Sequence, residues 1–376
     1  MKSRWFLAPA VAASLAAAAC GSSSSGSNTT SLAAAATPVS ASLAVTAPPT
    51  RPPTAIQVTS ALPKVPPKGK KVIFLQCQLP ACERYVSGVK DAAAALGWSA
   101  KVEVFSSANP GAGLQQAIIE HPDYIAITGI PTDALKPQLA AAAQAGIPVI
   151  SCATPDQAGA GGYAVECGGT LATDAGYLGR WMINDSHAKA HVVAVTIPQF
   201  PVLNTETGWL KANLKRICAT CSVDDLDVTV QDVGGGAVPQ KLTAYLQTHP
   251  DVNYVFFTFN DLTRGVPAAL RTVGLQDKVK LVGAAGDASI MKQIGTTQAA
   301  WTIAPNVYSA WVMFDAMARL SVGERLDDNY DRSVYTSPTW VVDSATAAKL
   351  LAPTGYDWYG PQGFPTKFKA LWKVGP

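Results

Sequence analysis

Short apolar segments that alternate with helical patterns constrain the fold of this chain more than any other feature. From Lys71 onward several of these segments, such as Val72–Leu75 and Tyr124–Thr128, are continuous apolar runs, which predicts strands buried on both faces. Such strands are typical of parallel sheets covered by helices on both sides. The predicted strands are Val72–Leu75, Ala100–Phe105, Tyr124–Thr128, Pro148–Ser151, His191–Thr196, Val228–Val230, Val252–Thr258, Val279–Val282 and Trp301–Ile303.

The number of these strands determines how many sheets the chain can form. They are too many for one compact open sheet, and 376 residues are too many for one ordinary core. We therefore predict an α/β fold with two doubly wound parallel-sheet lobes, and an eight-unit barrel is the structural alternative. Right-handed crossovers place the strand-to-helix loops at the carboxyl edge of each sheet, where open parallel sheets bind ligands.

The first residues have the pattern of an export signal. Lys2 and Arg4 precede the apolar segment Trp5–Ala19, which is too short for a stable membrane-spanning helix. We predict a signal peptide over residues 1–19. Cys20 follows directly and resembles the cysteine that receives a diacylglycerol in bacterial lipoproteins. The alternative is an ordinary cleaved signal with a chance cysteine.

Residues 20–69 are rich in Ser, Ala and Pro and lack the pattern of a buried core. They predict a lipid-anchored Cys20 followed by a flexible tether. Such a chain would be extracytoplasmic and held at the outer face of the cell membrane by its lipid. The tether would let the folded part stand away from the membrane and still reach a membrane partner.

Six cysteines follow Cys20, and an even number in an exported chain indicates three disulfides. Six cysteines allow fifteen pairings, and the sequence alone does not choose among them. Closeness along the chain favours the pairs Cys77–Cys82, Cys152–Cys167 and Cys218–Cys221. The last pair is a C-x-x-C that is either a redox site or a structural staple. The staple is favoured because no strand leads into it and no helix begins at it.

The remaining polar residues indicate no enzyme, metal site or cofactor. The net charge of +3 and the scattered basic residues are not typical of a nucleic-acid-binding protein. His187 and His191 lack a third ligand nearby, and no nucleophile–base pair stands out. The acidic cluster of Asp224, Asp225 and Asp227 predicts a solvated turn.

Several stretches, taken in order, carry a resemblance to a known family. They are Pro80–Gly88 with the following Val-Lys-Asp-Ala, Gly129–Leu135, Ala145–Ile150, His249–Asp251 before Tyr254–Phe257, Asn260-Asp261, Leu281–Gly283, Pro338–Trp340 and the tail from Gly363 to Trp372. From about Lys71 to its end, the chain resembles the type I periplasmic binding proteins of the ribose-binding-like group. These proteins capture a small solute for an ABC importer.

The resemblance implies two lobes joined by a three-segment hinge, which bends to close on a solute. The implied amino-terminal lobe is 70–168 plus 305–336, and the carboxyl-terminal lobe is 169–304 plus 337–376. The implied crossings lie near Cys167–Thr170, Ala304–Asn306 and Thr336–Pro338. The implied partners are a small-molecule ligand and the permease and ATPase of the importer, with the chain acting as a monomer. The functional alternative is a sensor that presents its ligand to a membrane receptor.

The site residues depart from the sugar-binding pattern of the family. Its aromatic pair falls on Ala81 and Cys82, and its Asp-Arg pair falls on Ala153 and Thr154. The loss of the charged groups favours a less polar, aromatic or alicyclic solute over an ordinary sugar, because each unpaired hydroxyl of a bound sugar costs about 1–3 kcal/mol. A sugar-like solute is the alternative. The ligand-binding candidates that remain are Gln78, Phe105, Phe200, Asn204, Asn260, Asp287, Trp301 and Asn306.

Three of these candidates also have a structural interpretation. Asn260 matches the Asn-Asp motif of the family, but asparagine is also a favoured helix cap, as is the adjacent Asp261. Phe105 and Trp301 are equally well explained as core residues, since large aromatic side chains are usually well buried.

Overall fold

The computed structural model describes residues 48–154, 156, 159, 162–167, 170–303, 305–326 and 338–375. The predicted signal peptide 1–19, Cys20 and the tether up to residue 47 lie outside the described residues. So do Gly168, Gly169, Ala304 and residues 327–337, which include part of each of the three predicted crossings. No helix among the described residues is long and apolar enough to cross a membrane.

Two open sheets form the two lobes, which confirms the predicted fold class. The strands are β1 (Lys71–Gln76), β2 (Ser99–Val104), β3 (Tyr124–Thr128), β4 (Val149–Cys152), β5 (Val165–Glu166), β6 (His191–Thr196), β7 (Ser222–Asp227), β8 (Tyr254–Phe257), β9 (Lys280–Gly286), β10 (Ala300–Ile303) and β11 (Val341–Asp343). The first sheet has the order β2-β1-β3-β4-β5 and is parallel throughout. The second has the order β11-β10-β9-β8-β6-β7, and only its edge strand β11 runs antiparallel to its neighbour. Because both sheets have free edges, the barrel alternative is wrong.

Helices cover both faces of each sheet. They are α1 (Pro80–Glu83), α2 (Val86–Leu96), α3 (Pro110–Ile119), α4 (Lys136–Gln144), α5 (Leu171–Asp185), α6 (Pro201–Ile217), α7 (Val230–Gly235), α8 (Val238–Thr248), α9 (Val266–Thr272), α10 (Ala288–Met291), α11 (Asn306–Ser321) and α12 (Phe364–Trp372). Shorter turns of helix lie at Thr132–Ala134, Asn260–Thr263, Ala347–Leu351 and Ala352–Thr354.

Alternate residues of β1 belong to different cores, as a strand buried on both faces requires. Ile73 and Leu75 pack with α3 and α4, whereas Val72 and Phe74 pack with α2 and α11. Close approach of α2 to α11 depends on Gly88, where an added Cβ would lie 2.5 Å from the carbonyl oxygen of Val307. This packing accounts for the glycine at position 88.

One predicted strand was placed a few residues too late in the chain. Residues 228–230 were predicted as a strand and the acidic cluster before them as a turn, but the strand is β7, Ser222–Asp227. The acidic side chains fit there because β7 lies at the sheet edge and pairs only with β6. Most of its residues are partly or fully exposed, so it lacks the apolar pattern used to find the other strands.

The carboxyl-terminal helix packs on the amino-terminal lobe, not on the lobe to which residues 337–376 were assigned. The Trp372 ring stacks on Trp311 of α11 with centroids 5.3 Å apart, and its Nε1 donates to Asp315 at 2.7 Å. Phe364, Phe368 and Trp372 join the same core as α2 and α11. Only the stretch that includes β11 belongs to the second lobe, so the chain returns to the first lobe after it.

Residues 49–67, which we call the amino-terminal segment, are packed on the lobes instead of forming a free tether. Val58 and Leu62 are almost fully buried in the core of the amino-terminal lobe. The Leu62 N–H donates to the Leu371 carbonyl at 2.8 Å, and the Val341 N–H of β11 donates to Pro49 at 2.9 Å. The Pro-rich composition hid these few buried apolar residues.

A buried carboxyl group lies where the chain crosses between lobes. Asp174 is in the first turn of α5, shortly after the first predicted crossing, and Thr339 follows the third predicted crossing. The Thr339 hydroxyl donates to Asp174 Oδ1 at 2.9 Å. Burial raises the pKa of Asp174 to about 6. Glu206 is also fully buried, and burial together with the nearby Asp174 raises its pKa well above the usual value.

Replacing Leu62 tests whether the amino-terminal segment is part of the folded unit. We expect Leu62→Ala to lower the free energy of unfolding by about 2–5 kcal/mol, the usual cost of a cavity at a buried leucine. Val65 lies in the same segment but is 51% exposed, so Val65→Ala should change it by less than about 0.5 kcal/mol. Urea unfolding of both variants measures this difference, and equal, negligible effects would show that the segment is not packed.

The raised pKa of Asp174 predicts a pH dependence of stability. Between about pH 4 and 6 the unfolded chain ionises this carboxyl while the folded chain keeps its proton, so rising pH removes stability. The asparagine of the Asp174→Asn variant cannot ionise. The free energy of unfolding of this variant, relative to that of the wild type, should therefore rise by ~1–3 kcal/mol from pH 4 to 7. Urea unfolding across this range measures the difference. Asp91→Asn at an exposed site of α2 is the control, and a pH-independent difference for Asp174→Asn would contradict the prediction.

Candidate functional site

The two lobes contact each other where strands of both sheets reach their carboxyl ends. From the first lobe comes the loop after β1, and from the second come the residues after β8 and β9. Between them is a recess of about 380 Å³, whose lining includes Pro80 and Arg84 from the first lobe and Asn260, Asp261 and Asp287 from the second. It occupies the position at which open parallel sheets bind ligands.

The loop after β1, residues 77–84, is held in shape by a disulfide, and we call it the stapled loop. Cys77 pairs with Cys82, and Pro80 begins the short helix α1 between them. The peptide groups of Ala81 are both engaged. Its N–H donates to Asp261 Oδ2 of the other lobe at 3.2 Å, and its carbonyl accepts from Asn306 Nδ2 at 3.2 Å.

Arg84 ends the stapled loop and reaches across to the second lobe. Its Nη1 donates to Asp287 Oδ2 at 3.0 Å, and its Nη2 donates to Asn260 Oδ1 at 2.8 Å. The side chains of Arg84 and Asp287 are 24% and 25% exposed, so the ion pair is largely shielded from water. A planar guanidinium with several donors suits two acceptors held side by side.

Asp287 has a different partner set on each carboxylate oxygen. Oδ1 caps α10 by accepting the backbone N–H groups of Ser289 at 2.9 Å and Ile290 at 3.3 Å. Oδ2 accepts from Arg84 and, at 2.9 Å, from Asn260 Nδ2. The cap fixes the orientation of the carboxylate, so that its second oxygen faces the other lobe.

Asn260 and Asp261 form the opposite wall of the recess. Asn260 Nδ2 also lies 3.3 Å from Asp261 Oδ1, and both residues are largely buried. Burial raises the pKa of Asp261, while the nearby Arg84 lowers it and so opposes this effect. No side chain caps the short helix Asn260–Thr263, so the helix-cap interpretation of these two residues is wrong.

The predicted aromatic candidates are placed in the core. Trp301 is fully buried, stacks on Phe257 with centroids 6.2 Å apart, and donates from Nε1 to Gln298 at 2.9 Å. Phe105 and Phe200 are 3% and 6% exposed and belong to the same continuous core. Trp301 is therefore best described as a core residue, because its ring and its N–H are both engaged within the second lobe.

The polar candidates divide into two groups. Asn260, Asp287 and Asn306 come together around the stapled loop. Gln78 belongs to the same loop and is exposed, and Asn204 is exposed on α6. The structure thus assembles three of the eight predicted residues into one polar constellation.

Two residues of this constellation were not predicted as ligand contacts. Arg84 follows the positions where the family pattern expects aromatic residues, and nothing in its local sequence indicates that it reaches the other lobe. Asp261 was considered only as a helix cap. Its neighbour Asn260 was the available signal, since an Asn-Asp pair directly after a buried strand places both side chains at the carboxyl edge.

The described cysteines form three disulfides. They are Cys77–Cys82, Cys152–Cys167 and Cys218–Cys221, the pairs that are closest along the chain. The last lies between α6 and β7, outside the recess. Among the described residues, no three His, Cys, Asp or Glu side chains form a group that could hold a metal ion.

A second, larger recess of about 460 Å³ lies within the carboxyl-terminal lobe alone. Its lining includes Trp181, Lys280 and Gln298, which lie near the amino ends of β9 and β10. Lys280 is already paired with Asp185 at 2.7 Å, and Trp181 donates to Asp343 at 3.3 Å. Because this recess is at the wrong sheet edge for a parallel-sheet ligand, the smaller recess between the lobes is the better candidate.

Comparison with known proteins identifies relatives of this architecture. The family model described as a periplasmic binding protein domain matches residues 81–325. No curated protein sequence matches the chain significantly.

Several solved structures share the fold. A 5-methylthioribose transporter solute binding protein from Thermotoga lettingae, in complex with 5-methylthioribose, has a TM-score of 0.67 and 17% identity. The match covers 83% of this chain and 100% of that one. A substrate-binding protein of a sugar ABC transport system from Bordetella parapertussis has a TM-score of 0.66 and 19% identity, over 82% and 99% of the chains. An ABC transporter solute binding protein from Mycobacterium smegmatis with bound glycerol has a TM-score of 0.64 and 18% identity, over 74% and 96%.

Proposed function

The chain belongs to the periplasmic binding protein domain family, and from that membership we propose that it captures a small polar solute in the recess between its two lobes. One observation supports this site most directly. Side chains from both lobes, Arg84 on one side and Asn260, Asp261 and Asp287 on the other, converge at the carboxyl edges of the two sheets. A solute there would contact both lobes, so its binding energy would favour their closure.

The chemistry of the recess supports a hydroxylated solute, sugar-like or polyol-like. Carboxylates accept hydrogen bonds, a guanidinium donates them, and an amide does both, which together match the dual character of hydroxyl groups. The expectation of a less polar solute rested on the loss of an arginine from the family positions, and Arg84 brings a guanidinium to the recess from another position. The ligands bound in two of the structural relatives, 5-methylthioribose and glycerol, are also hydroxylated.

We propose that the bound solute is released chemically unchanged. Arg84 and Asp287 are already ion-paired, and Asn260 bridges them, so these groups are arranged to hold and orient polar atoms. The hinge supplies the motion that capture and release require.

A thermal-shift screen tests the binding proposal. The library should contain sugars, polyols, nucleosides and aromatic acids, and a solute that binds only the folded state raises the melting temperature by mass action. We expect a shift with a hydroxylated solute, lost in Asn260→Ala and retained in Gln240→Ala, whose amide is exposed on α8. An aromatic acid as the only positive compound would contradict the solute class. A shift unchanged in Asn260→Ala would contradict the site.

We further propose that the chain delivers its solute to an ABC permease while anchored through Cys20. Deletion of the gene should abolish uptake of the solute identified by the screen, and the full chain should restore it. Cys20→Ser should release the protein from the membrane fraction and restore uptake less well, since the anchor keeps the protein close to its partner. Normal uptake in the deletion strain, together with loss of a response to the solute, would favour the sensor alternative.

A further inference from the structure

The contacts between the stapled loop and the second lobe are made directly by the protein's own side chains and backbone. Arg84 donates to Asp287 and Asn260, and Ala81 donates to Asp261, so three hydrogen bonds cross from one lobe to the other. The donors of all three bonds lie in a stretch of four residues of the first lobe, from Ala81 to Arg84. Because these residues move with the first lobe and their acceptors move with the second, opening of the hinge must break these bonds.

We propose that Arg84 is a latch that holds the two lobes closed, and that the Cys77–Cys82 disulfide positions it. The inference rests on the proposed function, in which closure traps a solute, but it concerns a property of the protein alone. Arg84 thereby sets the closed fraction before the solute arrives, and that fraction scales the apparent affinity.

The two acceptors of Arg84, on Asp287 and Asn260, are oriented by contacts within the second lobe. The cap on α10 occupies Asp287 Oδ1 and leaves Oδ2 facing the first lobe. Asn260 Nδ2 donates to that same Oδ2 at 2.9 Å, which directs Asn260 Oδ1 toward Arg84 Nη2. The guanidinium therefore meets two acceptors that other contacts already hold in place, and little side-chain entropy remains to be lost on the second lobe.

The base of the latch is fixed from two directions. The disulfide closes the loop between Cys77, at the end of β1, and Cys82, two residues before Arg84. After Arg84, the Tyr85 ring packs against Phe74 of β1 with centroids 6.1 Å apart. Arg84 is thus held between two attachments to the same strand, so its reach is set by the first lobe as a rigid unit.

The shielding of the pair determines how strong the latch is. Exposed ion pairs contribute little, but the Arg84 and Asp287 side chains are about three-quarters buried, and the hydrogen bonds are charge-assisted. We expect loss of the guanidinium to shift the ratio of closed to open molecules by about tenfold toward the open form. Lysine keeps the charge but cannot reach both acceptors with a planar fork, so Arg84→Lys should give an intermediate shift.

Distance measurements on the protein without solute test the latch. Spin labels on noncanonical residues at positions 136 and 292, both exposed and on different lobes, report the separation of the lobes by pulsed electron paramagnetic resonance. The labelled parent should show a measurable short-distance population beside the open form. Arg84→Gln and Asp287→Asn should each move population to longer distances, and the double variant should move no more than the larger single effect, since both remove one interaction. Replacing both Cys77 and Cys82 by Ser should shift the distribution in the same direction.

The matched control is Lys101→Gln, which removes a cation paired with Glu103 and Glu120 within the first lobe. It should leave the distances unchanged, and circular dichroism melting confirms that each variant is folded. A folded Arg84→Gln variant with the parental distribution would overturn the latch. An unchanged distribution in the double cysteine variant would overturn the role of the disulfide. Failure of the thermal-shift screen would leave these distances unaffected, so the latch and the proposed function fail separately.

Discussion

A buried ion pair between Asp315 and Arg319 on α11 joins three parts of the chain that are far apart in sequence. Asp315 accepts from Trp372 Nε1 at 2.7 Å, and Arg319 Nη2 donates to the Ser60 carbonyl at 2.6 Å. The Arg319 Nε to Asp315 Oδ2 distance is 2.8 Å, and both side chains are almost completely buried. Removing two charges from water is costly, and the cost is offset here because several of their hydrogen-bonding positions have partners. The amino-terminal segment, α11 and α12 are therefore packed as one layer on the first sheet.

This layer explains why the chain crosses repeatedly between the lobes. A parallel sheet must be covered on both faces, and the helices between its own strands supply α3 and α4 on one face but only α2 as a long helix on the other. The rest of that face is covered by α11, which follows the second sheet in sequence. The polypeptide must therefore return from the second lobe, cross again to form β11, and return once more as α12. The amino-terminal segment adds a further link between the lobes through Pro49 and Val341. Any movement between the lobes has to accommodate these additional segments.

The sequence was most informative for strands that are buried along their whole length. It was least informative for an exposed edge strand and for isolated buried residues in an irregular segment. Continuous apolar segments such as Tyr124–Thr128 identified the central strands, because both faces of these strands are covered. Strand β7 was missed because an edge strand tolerates Asp224 and Asp225. The segment around Leu62 was missed because a few buried residues within a Pro-rich stretch leave no periodic pattern.

Some residues of the candidate site could also be predicted from the sequence, and others could not. Asn260 and Asp287 could be predicted because each directly follows a buried strand, and the carboxyl ends of parallel strands share one edge. The role of Arg84 depends on the separation between two lobes, which no local pattern in one of them encodes. Comparison with the family positions did not indicate Arg84, for a physical reason. A side chain as long as arginine can bring its guanidinium to the same point in space from more than one place on the backbone. The disulfide holds the stapled loop, and its own helix cap orients Asp287. The Arg84 guanidinium, directly after α1, can therefore reach the recess, whereas the family pattern places its arginine elsewhere in the chain. Polarity of the recess is therefore a property of the assembled lobes, and it cannot be read by aligning positions one at a time.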